Sequence, residues 1–151
     1  MFKKLLKTDE DIAWLILRVI LGIIIFPHGA QKLLGWFDGY GFSNTIGFFK
    51  EPLGIPAIFG ILAIVAEFFG SLGLISGLLT RVAAFGISMN MVMAILLVHL
   101  KVGFFMNWSG KQAGEGYEYH LLVLAITLVL MIKGGGKWSL DGILKKKRIK
   151  G

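Results

Sequence analysis

Long apolar runs alternate along this chain with short polar or glycine-rich breaks. Four runs stand out, at about residues 12–34, 56–79, 82–100 and 117–133. Apolar stretches of this kind cross the ~30 Å hydrocarbon core of a bilayer as helices. The fourth is short for that at ~1.5 Å per residue, so part of Gly116–Glu118 or Lys133 is expected at interfacial depth. Residues 35–55, between the first two runs, are rich in glycine and aromatics, among them Trp36, Phe37, Tyr40, Phe42, Phe48 and Phe49. Here Ser43–Lys50 is expected to lie as a short helix in the membrane interface, where aromatic rings sit well. Pro52 and Pro56 bracket the start of the second run. The pattern predicts an all-α fold: a four-transmembrane-helix bundle with a short interfacial helix or loop between helices 1 and 2. Residues 1–151 read as one membrane domain, and residues 137–151 as a basic amphipathic tail capped by Ser139.

Composition agrees. Hydrophobic residues make up 56% of the chain and charged residues 17%, with a mean hydropathy of +0.75. There is no cysteine. That excludes thiolate catalysis, a disulfide relay, iron–sulfur ligation and covalent haem attachment through the chain's own thiols. No metal site is read from the sequence.

The net charge of +7 sits beside the apolar runs and at the C-terminus, which suits an anionic leaflet and argues against nucleic acid as a partner. Lys3, Lys4, Lys7, Arg81, Lys133, Lys137, Lys145, Lys146, Lys147, Arg148 and Lys150 fall on the side of the termini. Lys32, Lys50, Lys101 and Lys111 fall on the other. The positive-inside rule then predicts a multi-pass protein of the cell (inner) membrane with both termini cytoplasmic. Met1–Lys7 looks like the charged start of a signal peptide. However, Thr8-Asp9-Glu10-Asp11 follows, with no small-residue cleavage site, so a retained N-terminus is expected.

The polar residues inside the runs are the candidate chemistry, because buried ionisable groups in a membrane are costly. They are Arg18, the stretch Phe26-Pro27-His28-Gly29-Ala30-Gln31-Lys32-Leu33, Glu67, Asn90 and His99, with Glu118 and His120 opening the fourth run. The topology puts His28, Gln31, Lys32, His99, Glu118 and His120 together in the outer third, with Glu67 near the midplane. At 100° per residue, Arg18 and Lys32 align within ~40° on the first helix, and His28 lies within ~80° of Arg18. Glu67 shares a small-residue stripe with Gly60, Ala63, Gly70 and Ser71. Gly73 and Gly77 form a GxxxG that suggests close helix approach.

Each group also has a plain structural reading. Arg18 and Glu67 are expected as an ion pair that fixes the bundle's register. Lys32 is read as snorkelling to the outer interface, and His99 and His120 as interfacial residues. Asn90 lies opposite the His99 face and reads as helix–helix glue. His28 is the first candidate for a functional role.

Several segments resemble the DoxX family of small membrane proteins. They are Arg18 with Pro27-His28-Gly29-Ala30-Gln31-Lys32-Leu33, then Leu53-Gly54-Ile55-Pro56, the block Glu67–Ala84, and Gly134–Asp141. The resemblance covers nearly the whole chain. It places Arg18, His28, Gly29, Lys32, Glu67, Gly70, Arg81 and Asp141 at recurrent positions. The family is named for a subunit of a thiosulfate:quinone oxidoreductase, so the resemblance implies a four-helix membrane protein associated with a redox system.

Four functions remain open at this point. The first is a redox-associated subunit that binds quinone, or a partner oxidoreductase, at an outer-leaflet polar site. His28, Gln31, Lys32, His99, Glu118 and His120 would hold the quinone there, with Glu67 and His28 moving protons. Whether the chain is itself an enzyme stays open, since a partner must supply electrons. The second is a non-catalytic scaffold, and the third a proton or anion conduit, for which a homo-oligomer is expected. The fourth, non-covalent haem b between two histidines, is the least favoured. Membrane lipid is a partner in all four.

Overall fold

Helix α1 starts at Asp11, whose side chain accepts the Ala13 N–H at 2.8 Å, and runs unbroken through Pro27 as Ile12–Leu34. The computed structural model describes residues 6–149, with side chains to Lys147. Lys3, Lys4, Lys150 and the Arg148 side chain, which entered the charge argument, lie outside the described residues. The remaining elements are α2 (Gly41–Lys50), α3 (Ala57–Ser76), α4 (Thr80–Ala94, continued by a π-helical turn Ile95–His99), α5 (Glu118–Lys133) and α6 (Leu140–Ile149). Every regular element among the described residues is helical.

Among the described residues three helices are long and apolar enough to cross a membrane: Ile12–Leu34, Ala57–Ser76 and Thr80–His99. Helix α5 has 16 residues, about 24 Å at 1.5 Å per residue. The segment between α1 and α3 forms a helix as expected, although it begins at Gly41 rather than Ser43.

The second run ends earlier than its hydropathy predicts. Gly77 adopts a left-handed conformation, φ +70, and closes α3 after Ser76. Gly77 is therefore a turn residue, and the Gly73–Gly77 pair is not a helix-packing motif. A Cβ at Gly77 would stand 2.6 Å from Ser139 Cβ and 3.0 Å from Arg18 Cζ.

Around the bundle, α1 packs on α3, α3 on α4 and α4 on α5, with a smaller contact closing α5 onto α1. Leu21, Ile25, Leu74, Ala84, Ile87, Met91, Val123 and Leu130 form the core. A 2.6 Å hydrogen bond between the Ser88 and Thr127 hydroxyls joins α4 to α5 inside it. The outward faces carry Ile20, Phe59, Phe85, Leu96 and Leu122, all exposed, as a lipid-facing surface requires.

The end of the bundle where the described chain begins and ends is tied by charged side chains on backbone groups. Arg18, 1% exposed, donates to the Leu74 and Ile75 carbonyls at the C-terminus of α3, at 2.8 and 2.6 Å. It also donates to Gly135, Lys137 and Trp138. Arg81 does the same for α5, donating to Met131 and Ile132 and to Lys7. Asp141 accepts the Leu79 and Thr80 N–H groups at 2.7 and 2.9 Å, at the start of α4. Each charge opposes the helix dipole it meets and fills orphaned terminal groups. Ser139 caps α6 by accepting the Gly142 N–H at 3.2 Å.

Candidate functional site

The site starts from Gly29. A Cβ there would lie 2.5 Å from Phe68 N and 2.8 Å from Glu67 C, so α1 and α3 touch backbone to backbone at this point. No residue with a side chain fits without parting the helices. The contact sets the axial offset of the two helices and brings Lys32, three residues on, beside Glu67. The Lys32 ammonium pairs with Glu67 Oε2. From α4, Asn90 Nδ2 donates to Oε1 at 2.7 Å. Glu67 is 4% exposed, so the carboxylate is buried with both oxygens engaged. Burying the charge in this setting requires such partners.

This corrects two expectations. Arg18 does not pair with Glu67, because its guanidinium is spent on the end of α3 and the Gly135–Trp138 turn. Lys32 does not snorkel away from the bundle but turns inward onto the carboxylate. Both basic residues lie on the same side of α1, and the Gly29 contact decides which one reaches Glu67.

Between α3 and α4 an apolar groove of about 1040 Å³ opens sideways. Phe59, Leu62, Phe69, Phe85, Met89 and Met93 are among its walls, and Lys32, Glu67, Asn90 and His99 are its charged and amide-bearing groups. Phe49, Leu53 and Ile55, from α2 and the segment after it, also line it. A concave apolar site with a few convergent polar groups is the usual form of a small-molecule pocket.

The remaining expected residues divide. His99 and His120 meet with ring centroids 4.2 Å apart. That contact leaves no room for a porphyrin between them, so this pair cannot be the axial ligands of a haem. His28 is exposed on α1, within electrostatic range of Lys32, Glu67 and His120. Gln31 and Glu118 are turned to other tasks. The Gln31 amide donates to the Phe37 carbonyl at 3.1 Å and holds the turn after α1. Glu118 accepts from Met106 N at 3.0 Å and Trp108 Nε1 at 3.3 Å and organises the loop before α5. No group of three or more His, Asp or Glu side chains among the described residues is arranged to hold a metal.

Asn90, expected as helix–helix glue, does join α4 to α3, and the neighbour opposite the His99 face is Glu67 itself. Tyr119 is the residue of this region that the sequence pattern does not single out. Tyr119 stands beside His120 with ring centroids 5.6 Å apart, and its hydroxyl is buried without a partner. An aromatic in an apolar run carries no signal of that kind.

Comparison with known proteins gives the family. The family model DoxX matches residues 13–100. The chain is 31% identical over 125 residues to a Bacillus subtilis (strain 168) protein named "Putative oxidoreductase CatD", with 83% of each chain covered. It is 28% identical over 142 residues to "Inner membrane protein YqjF" of Escherichia coli (strain K12), covering 94% of this chain and 99% of the relative. It is 31% identical over 150 residues to "Uncharacterized membrane protein Rv3486" of Mycobacterium tuberculosis, covering 95% and 88%. No solved structure matches.

Proposed function

We propose a function from one premise: the chain belongs to the DoxX family of membrane proteins. In this reading α1, α3, α4 and α5 are four spans of an inner-membrane protein with both termini cytoplasmic. The protein is the membrane subunit of an oxidoreductase and binds a quinone in the groove between α3 and α4. The name of the Bacillus subtilis relative supports the redox setting. The basic residues Arg81, Lys133, Lys137 and Lys145–Lys147 on the side of the termini support the orientation.

One observation carries the reading. The buried Glu67 carboxylate, held by the half-buried Lys32 and Asn90, faces a lateral apolar groove that a lipid-soluble molecule can enter from the bilayer. A quinone needs apolar walls for its tail and hydrogen-bond donors for its carbonyls. Lys32 and Asn90 are such donors, and Glu67 is a proton carrier. Reduction to quinol takes two electrons and two protons. A cysteine-free chain has no thiolate-held redox centre of its own, so the electrons come from a partner oxidoreductase.

The test is the quinone content of protein purified in mild detergent, measured by solvent extraction and chromatography. About one quinone per chain is expected, with a loss of at least tenfold in Glu67→Gln and Asn90→Leu. A wild-type protein without quinone, or both variants retaining it, overturns the assignment. A second reading follows from the same cluster: both Glu67 oxygens are already satisfied, as in a pin that only fixes register. That scaffold role predicts lower thermal stability in the variants and no bound quinone in any of them.

A further inference from the structure

Two buried polar atoms on the first turn of α5 have no hydrogen-bond partner: Tyr119 Oη and His120 Nδ1. Orphaned groups of this kind are costly and rare, so each asks for an explanation. Neither belongs to the Lys32–Glu67–Asn90 cluster, and His120 is only 7% exposed.

His99 supplies the connection to the surface. It is half-buried, and its Nδ1 lies 2.8 Å from the Glu115 carbonyl in the loop before α5. A carbonyl only accepts, so Nδ1 carries the hydrogen, and Nε2 of the neutral ring is left as a free base. The same ring lines the groove and lies against His120 at 4.2 Å. His120 in turn abuts Tyr119, which lies within electrostatic range of Glu67. The three rings thus form a row in contact from the loop inward, pointing toward the buried carboxylate, and each side chain is able to hold or pass a proton. The charged and titratable groups around it are His28 and Lys32 on α1, Glu67 on α3, and Glu115 and Glu118 at the loop. Glu118 is held by Met106 and Trp108, and Glu115 by Asn107.

We propose that His99, His120 and Tyr119 form a proton path from the loop preceding α5 to the Glu67 carboxylate. A proton from water binds His99 Nε2, and the resulting imidazolium releases one to His120. The Tyr119 hydroxyl then donates its hydrogen toward Glu67 as it receives another from His120. Each passage moves one proton and changes no oxidation state. Its use, refilling Glu67 after that carboxyl gives a proton to a reduced quinone oxygen, rests on the quinone reading above. Its existence does not.

Two measurements separate these. The first uses ¹⁵N-histidine-labelled protein in nanodiscs without quinone and reads solvent exchange of the His120 ring N–H by NMR. His99→Gln keeps an amide donor for the Glu115 carbonyl but cannot carry a proton. Exchange at His120 is expected to slow at least tenfold in this variant, and unchanged exchange overturns the path. The second loads protein with a short-chain benzoquinone and follows quinol formation after mixing with dithionite. His99→Gln and Tyr119→Phe are each expected to slow it at least fivefold with quinone still bound. Tyr119→Phe removes one oxygen atom and keeps the ring, so it remains informative if His99→Gln fails to fold. Bound quinone with wild-type rates in both variants overturns the path and upholds the groove. A groove that takes no quinone, with His99-dependent exchange intact, upholds the path and overturns the quinone reading.

Discussion

Glu67 should be energetically coupled to Lys32 and not to Arg18. The perturbation is a pair of double-mutant cycles, Lys32→Met with Glu67→Gln and Arg18→Met with Glu67→Gln. Two unit charges about 4 Å apart interact by about 4 kcal/mol at an effective dielectric near 20. The Glu67 side chain is 5% exposed and that of Lys32 30%. Solvent at the lysine end screens the pair, so a coupling of about 2 kcal/mol is expected. Lys32→Met alone leaves a buried carboxylate held only by Asn90 and costs about 3 kcal/mol. Glu67→Gln alone costs about 1–2 kcal/mol, because the amide still accepts and the freed lysine reaches water. Arg18→Met orphans the Leu74, Ile75 and Gly135 carbonyls, at about 1–3 kcal/mol each before the turn relaxes. Its effect should nevertheless add to that of Glu67→Gln within about 0.5 kcal/mol, since the two share no partner. The assay is reversible unfolding of the purified protein in mixed micelles with increasing SDS. A coupling above about 1 kcal/mol for Arg18 with Glu67, together with none for Lys32, would refute the reasoning.

Three further outcomes are expected. Gly29→Ala puts a methyl against Phe68 backbone, which cannot yield, and should cost about 1–3 kcal/mol in the same assay. Gly47→Ala in α2, where a Cβ meets nothing within 4 Å, is the matched control and should be neutral or slightly stabilising. Asp141→Asn leaves one of the Leu79 and Thr80 N–H groups without an acceptor and removes the charge facing α4, for a loss of about 1–2 kcal/mol. The Lys146 hydrogen bond, then its charge, hold the exposed Glu10 carboxyl below its ordinary value of 4.5. A depressed carboxyl contributes above its unfolded pKa and loses that contribution as pH falls through the folded value. Protease access to α6 should therefore rise only below about pH 4.5, and Lys146→Ala should remove the dependence.

Hydrophobic patterning located the helices because it tracks the quantity that forms them here, transfer into an apolar phase. It placed α1 at Ile12–Leu34, residue for residue. It failed at the end of α3, where hydropathy continues through Leu78-Leu79 but the backbone has already turned at Gly77. The partner of Glu67 was illegible for a different reason. Rotation around α1 puts Arg18 and Lys32 on nearly the same side, and rotation says nothing of how far α1 is slid along α3. That offset comes from Gly29 on Phe68, a packing fact with no periodicity. Gln31 and Glu118 were drawn into the candidate site by depth alone. In the structure loops take their hydrogen bonds, and loop geometry leaves no repeat in a sequence. The groove belongs to the surfaces of two helices at once and could not be seen in either.

The two ends of the bundle treat polar groups differently, and the difference is what favours the proposed site at one of them. At the end where the described chain begins and ends, Arg18, Arg81 and Asp141 are matched to helix-terminal carbonyls and amides, and among the described residues the Thr80 hydroxyl alone is orphaned there. Such an arrangement does nothing but hold. At the other end the Glu67 cluster borders an open groove, and Tyr119 and His120 keep buried polar atoms unpaired. A fold that can satisfy five donors around one arginine has the means to satisfy those atoms too. It leaves the two unpaired side by side, next to the His99 ring. Costs of that kind persist where function depends on them. The Pro27–Lys32 stretch belongs to this second end through two residues, Gly29 as the contact and Lys32 as the counter-ion, with His28 alongside.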